Sequence, residues 1–241
     1  MKEKRTIACY ETDAAGRLKP FAFFNLVQEW ANLDAINLGF GYEQLIEKES
    51  IWVLSRLKAV FLRPPTWREE ITASTWHKGT DGVFSYRDFL ICNADESEVL
   101  IRATSSWLII HTDTRRIQRP RDFFPSTQEQ LSAVQHALEE PCQKIPVPEK
   151  GLILAETRKV RYSDMDMNLH MNSAKYIEWA MDCASHNHPV PQVVTSFQIN
   201  FNAEALFDQT LQLLKAETDE KSRYVEGRHE DKSIFQALIT F

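Results

Sequence analysis

The sequence predicts an α+β protein in which an antiparallel sheet wraps one long helix, with the unit used twice in tandem. Three observations carry this. Two distant segments, CYETDAAGRLKPFAFFNLVQEWANLDA near the start and VRYSDMDMNLHMNSAKYIEWAMDCA far downstream, each run from a strand-like stretch through an acidic turn into an amphipathic helix. The two helices share a tripeptide, Glu29-Trp30-Ala31 and Glu178-Trp179-Ala180. Each helix is followed by stretches rich in β-branched and aromatic residues, broken by turn residues.

The elements follow in order. In the first helix Phe23, Phe24, Val27, Trp30, Ala31 and Leu38 recur at helical spacing, giving one apolar face. Strands are expected at about 52–62, 70–77, 83–92 and 100–111, with turns at Lys78-Gly79-Thr80-Asp81-Gly82 and Asn93-Ala94-Asp95. Residues 113–155 hold Pro120, Pro125, Pro141, Pro146 and Pro148 and read as a linker with a short helix near 128–138. The second helix places Tyr176, Ile177, Ala180, Met181 and Ala184 on one face, with Asn172 or Ser173 as its N-cap. Strands are then expected at about 193–201, 210–217, 222–229 and 233–241. The resulting division is 1–120, a linker over 121–152, and 153–241.

Composition narrows the functional classes. At 241 residues with 43% hydrophobic and 11% aromatic content, the chain is able to bury a large core. A net charge of -6 argues against a general nucleic-acid binder, which needs surplus Lys and Arg to displace counterions. The cysteines Cys9, Cys92, Cys142 and Cys183 are scattered, with no CxxC pair and no zinc-ligand spacing, so free reduced thiols and no metal are expected. No apolar run approaches the roughly 18 residues of a membrane span, and no apolar stretch follows the charged N-terminus. The expectation is a soluble, cytoplasmic protein with no membrane partner.

The candidate chemistry lies just before the second helix. If the segment were extended, Asp166, Asn168 and His170 on alternate residues would share one side. They would stand beside a helix N-terminus, where free N–H groups favour developing negative charge, and so form an oxyanion site. The same residues equally suit Asx turns and a helix cap.

RYSDMDMNLHMNSAKYIEW resembles the helix-entry motif of hotdog-fold thioesterases and, more closely, that of the acyl-ACP thioesterases, the plant plastid enzymes and their bacterial relatives. In the first half WVLSRLKAVFLRPPTWREEITASTW, SYRDFLI and ATSSWLIIHTDTRRIQRP follow in that family's order, so the likeness covers nearly the whole chain. The resemblance implies a tandem double hotdog, two antiparallel sheets each wrapped around a long central helix, with an acyl-chain pocket in 1–120 and catalysis in 153–241. It implies hydrolysis of fatty acyl-acyl carrier protein, releasing free fatty acid and ending chain elongation, with no cofactor. The family pattern falls on Asp166, Asn168 and His170, and its downstream acidic residue on Glu204. Where plant members follow that glutamate with a cysteine this chain has Ala205, which excludes a covalent cysteine route there and leaves water as nucleophile. Glu204 would then activate water with His170 sharing proton transfer, Asn168 and the helix-start N–H groups would hold the carbonyl, and Asp166 would orient the Asn168 and His170 side chains. The small, inert-thiol role suits Cys183.

The first half is expected to be chemically silent, with Arg63 near the position matching Glu204. Phe21, Phe23, Phe24, Val27 and Trp30 are candidate pocket walls or simple core, and Gly39-Phe40-Gly41-Tyr42 a candidate closure of the pocket end. An acidic carrier protein with its phosphopantetheine-linked acyl chain calls for a basic docking patch, for which Arg115, Arg116, Arg119 and Arg121, or alternatively Arg158, Lys159 and Arg161, are candidates. An acyl-CoA thioesterase and a non-catalytic acyl-binding protein are the alternative functions. Homodimerisation stays open.

Overall fold

Strands form where β-branched and aromatic residues alternate with polar ones, and every strand finds an antiparallel neighbour. A computed structural model of the chain describes residues 1–123, 135–185 and 192–241. In chain order the elements are β1 (Lys2–Thr6), α1 (Pro20–Asn37), α2 (Tyr42–Ile46), β2 (Ser50–Phe61), β3 (Glu70–Asp81), β4 (Phe84–Asn93), β5 (Val99–His111) and β6 (Ile117–Gln118). They continue with β7 (Ile153–Lys159), α3 (Ser173–Ser185), β8 (Ser196–Phe201), β9 (Thr210–Glu217), β10 (Ser222–His229) and β11 (Lys232–Thr240). The hairpin expected to turn at 78–82 is longer, with β3 running to Asp81 and a bulge between His77 and Gly79.

The class is α+β, as expected, but the sheet is one. Its order is β1-β3-β4-β5-β2-β8-β11-β10-β9-β7, with β6 beside β5, making 11 strands. Each half contributes the same nested order, and the halves join edge to edge where β2 pairs with β8 from Arg56↔Asn200 to Val60↔Ser196. Two separate sheets would each leave an open central edge of unpaired N–H and C=O groups; joining β2 to β8 satisfies both.

Both long helices lie on one face. Pro20 opens α1, where its missing N–H is no loss. The Asn172 side chain caps α3 by accepting the Ala174 N–H at 2.8 Å. Phe23, Phe24, Val27, Trp30 and Ala31 of α1 and Tyr176, Ile177, Ala180 and Ala184 of α3 enter one continuous core. Rings cross the seam: Phe24 of α1 meets Phe201 of β8 at 6.1 Å, and Tyr176 meets the same ring at 5.7 Å. Leu38, expected in the apolar stripe, instead follows α1 at its C-cap and is exposed.

The opposite face of the sheet is partly polar and is crossed by the linker. The Ala137 N–H donates to Asp88 at 2.7 Å, the Cys142 thiol to the Thr104 carbonyl at 3.2 Å, and the Gln198 side chain to the Gln143 carbonyl at 2.6 Å. These contacts pass from β4 over β5 to β8, so the linker ties the two halves from behind. Of the helix expected at 128–138, residues 128–134 lie outside the described residues and 135–138 are irregular. Near the C-terminal end of α1 the core turns polar: Asp34 pairs with Arg87 at 2.5 Å, and His77 meets Ser85 at 2.7 Å, all of them buried.

Candidate active site

The segment before α3 is a tight turn, not an extended strand. Met165 and Met171 pair across it, the Asp166 N–H donates to the His170 carbonyl at 2.8 Å, and Leu169 sits at φ 61°. The Asp166 carboxylate accepts the backbone N–H of Asn168 at 2.8 Å and that of His170 at 3.4 Å. Asp166 therefore builds an Asx turn and orients the backbone of both residues, where orientation of their side chains was expected. The turn, rather than strand alternation, sets their exposure, leaving Asn168 exposed and His170 half-buried.

The first half contains the same turn with different side chains. Asp13 accepts the N–H groups of Ala15 and Arg17, each at 2.9 Å, its own N–H donates to the Arg17 carbonyl at 2.8 Å, and Gly16 takes φ 74°. Beyond each turn the chain bonds to the segment after a strand: Leu18 N–H to the Pro65 carbonyl at 2.7 Å, Met171 N–H to the Ala205 carbonyl at 2.9 Å. Thus Ala15 matches Asn168, Arg17 matches His170, and Pro64 matches Glu204. Arg63 is one residue off the expected place and is engaged by Glu69 at 2.7 Å and Glu98 at 3.0 Å.

Glu204 follows β8 on a short irregular stretch, its side chain 36% exposed. Its Oε2 lies 3.4 Å from Nε2 of His170, and its Oε1 accepts a hydrogen bond from the Arg115 guanidinium. Arg115 comes from the other half of the molecule, at the turn between β5 and β6. It was expected on the docking patch; nothing in local sequence spacing marks it as a partner of Glu204. A second unforeseen contact is that of Tyr176, whose hydroxyl accepts the Ala205 N–H at 2.9 Å and so holds the backbone next to Glu204. Burial pushes the Tyr176 phenol up, keeping it neutral.

The oxyanion donors narrow as well. The Ala174 and Lys175 N–H groups at the start of α3 are already taken by Asn172, whereas the exposed Asn168 carboxamide has no hydrogen-bond partner among the described residues. Its chain neighbours Met167 and Leu169 are exposed apolar side chains, as are Leu206 and Phe207 shortly after Glu204. The expected pocket walls Phe23, Phe24, Val27 and Trp30 are all buried in the core, with Phe21 packed at its margin. Phe40 is buried against Trp52 and His77. Cys183 is buried and its thiol pushed up to about 11 by burial, as suits an inert packing residue. In the alternative docking patch Arg158 is bound by Glu156 and Asp182, and Lys159 by Asp208.

Fold and site together define a duplicated α+β protein whose halves share a turn, of which the second brings the Glu204 carboxylate to the His170 imidazole. The acyl-ACP thioesterase N-terminal domain matches residues 1–124 and the acyl-ACP thioesterase C-terminal domain matches residues 153–240; the chain belongs to the acyl-ACP thioesterase family. It is 27% identical over 227 residues to a chloroplastic palmitoyl-acyl carrier protein thioesterase of Gossypium hirsutum, covering 89% of this chain and 54% of the relative. To a chloroplastic oleoyl-acyl carrier protein thioesterase of Coriandrum sativum it is 26% identical over 242 residues, covering 91% of this chain and 63% of the relative. The chain thus spans little more than half the length of these relatives. Among solved structures, an acyl-ACP thioesterase from Bacteroides thetaiotaomicron superposes with a TM-score of 0.87 at 23% identity, covering 100% of this chain and 97% of that one. The 12:0-ACP thioesterase from Umbellularia californica gives 0.85 at 21% identity, covering 100% and 96%.

Proposed function

We propose that this chain hydrolyses the thioester of fatty acyl-acyl carrier protein, releasing the fatty acid and the carrier thiol. The observation that carries this is the meeting of Glu204 and His170 at 3.4 Å, with the exposed Asn168 two residues before His170, in a chain whose two halves both match the family. Water attacks the thioester carbonyl and loses its proton to Glu204. Asn168 donates to the oxygen as it becomes an oxyanion, and Asp166 keeps the turn that aims it. When the C–S bond breaks, the departing thiolate takes a proton through the His170–Glu204 pair. Ala205 leaves no thiol beside Glu204 for an acyl-enzyme route.

In this proposal each half is a hotdog unit, 153–241 being catalytic and 1–120 non-catalytic, with 121–152 as the linker. Arg116, Arg119 and Arg121 are the carrier-protein docking patch, steering an acidic partner toward a chain of net charge -6. Purified protein incubated with acyl-ACP and acyl-CoA of several chain lengths, with thiol release as the readout, tests the function. Turnover of acyl-ACP with the higher kcat/KM is expected, and Glu204→Ala should lower kcat by about 10²–10⁴-fold without lowering Tm. A preference for acyl-CoA would reassign the substrate. No thiol release from any donor would reject hydrolysis in favour of acyl binding.

A further inference from the structure

We infer that Arg115, supplied by the half of the molecule that lacks the catalytic groups, is a positioning residue for Glu204 in the hydrolysis proposed above, on which this inference rests. The two carboxylate oxygens of Glu204 have different partners: Oε1 takes the Arg115 guanidinium and Oε2 faces His170 at 3.4 Å. Glu204 stands on an irregular stretch, and its flexible side chain is partly in solvent. A planar guanidinium on one oxygen removes most of that freedom and leaves the other oxygen directed at the imidazole, where water must be activated.

The turn that presents Arg115 is closely specified. Arg115 takes φ 57°, its N–H donates to the His111 carbonyl at 3.0 Å, and the His111 N–H donates to the Arg116 carbonyl at 3.0 Å. The His111 ring accepts the N–H groups of Asp113 at 3.2 Å and Thr114 at 3.4 Å, fixing the turn from within. An exposed ion pair adds little to stability, so a built turn ending in one is better explained by placement than by folding energy. The guanidinium also offsets the negative charge of Glu204 beside the position where the oxyanion forms. In the first half Pro64 occupies the place of Glu204, so no group there calls for such a partner.

The experiment separates positioning from carrier-protein docking, to which an exposed arginine equally lends itself. Wild type, Arg115→Ala and Arg115→Lys are assayed on acyl-ACP and on acyl-CoA, which has no carrier protein. Positioning predicts that Arg115→Ala loses about 100-fold in kcat on both donors with KM within about 2-fold, since small misplacement of a reacting group costs this much. Arg115→Lys should recover part of the loss by keeping a charge on Oε1, and millimolar guanidinium should partly rescue Arg115→Ala, with Tm unchanged. A loss confined to KM for acyl-ACP overturns the inference in favour of docking, and unchanged kcat on both donors overturns it outright. A wild-type protein inert toward both donors removes the proposed function and the inference with it.

Discussion

Leu169 pays a conformational cost that its counterpart avoids. At φ 61° a side chain with a Cβ is disfavoured by about 1–2 kcal/mol, whereas Gly16 at φ 74° meets no such penalty. Gly16→Ala is therefore expected to destabilise the protein by about 1 kcal/mol, measured as a lower urea midpoint with unchanged slope. His77 offers a second residue-scale test. Burial, and then the nearby Arg87, hold its imidazole down at about 4, with the Asp34 carboxylate acting the other way. Because the folded pKa lies below the unfolded value near 6.5, the unfolded chain binds the proton first as pH falls. Stability is full above about pH 6.5 and is lost progressively toward pH 4, by about 3 kcal/mol in all. His77→Gln should flatten urea midpoints across that window; an unchanged slope would reject the assignment. Asp166, Asn168 and His170 stand out in the sequence as polar residues crowded before a helix, whereas Glu204 is singled out only by the family resemblance, and its approach to His170 is visible only in the fold. Arg115 was not legible as a partner of Glu204, since 89 residues separate the two and only the seam between halves brings them together.

The long elements were readable because their periodicity is driven by burial. Phe23, Phe24, Val27 and Trp30 all reach the core, and strands such as β9 and β10 fall on their expected bounds. Where burial supplies no repeat, the sequence pattern is a weaker guide, as at the described end of the helix expected at 128–138. Residues 135–138 hold their place through the Asp88 and Lys78 side chains and the Trp76 indole, long-range contacts that leave no helical repeat in the sequence. The joining of β2 to β8 was equally invisible, because a strand's pattern shows which face it buries and not which edge it pairs. Close packing within one pair gives a test at this scale. At the bulge between Gly227 and Arg228 of β10, a Cβ on Gly227 would stand 2.2 Å from the Phe235 ring of β11. Gly227→Ala should cost about 1–3 kcal/mol, with Phe235→Leu as the second change that restores part of it.

At the scale of the molecule, one sheet and one core bind the halves more tightly than a linker alone would. Rings of α1 rest on β8, β2 pairs with β8, and residues 137–143 span the back of the seam. Calorimetry should accordingly record a single transition with equal calorimetric and van't Hoff enthalpies; two separable transitions would show independently folding halves. The matched turns carry a further consequence. With Ala15, Arg17 and Pro64 standing where Asn168, His170 and Glu204 stand in the second half, the proposed function gives each polypeptide a single reaction centre despite its internal symmetry. Active-site titration should then count one equivalent per chain, and saturation should be hyperbolic, since on this proposal the first half offers no twin centre among the described residues to be coupled to that of the second.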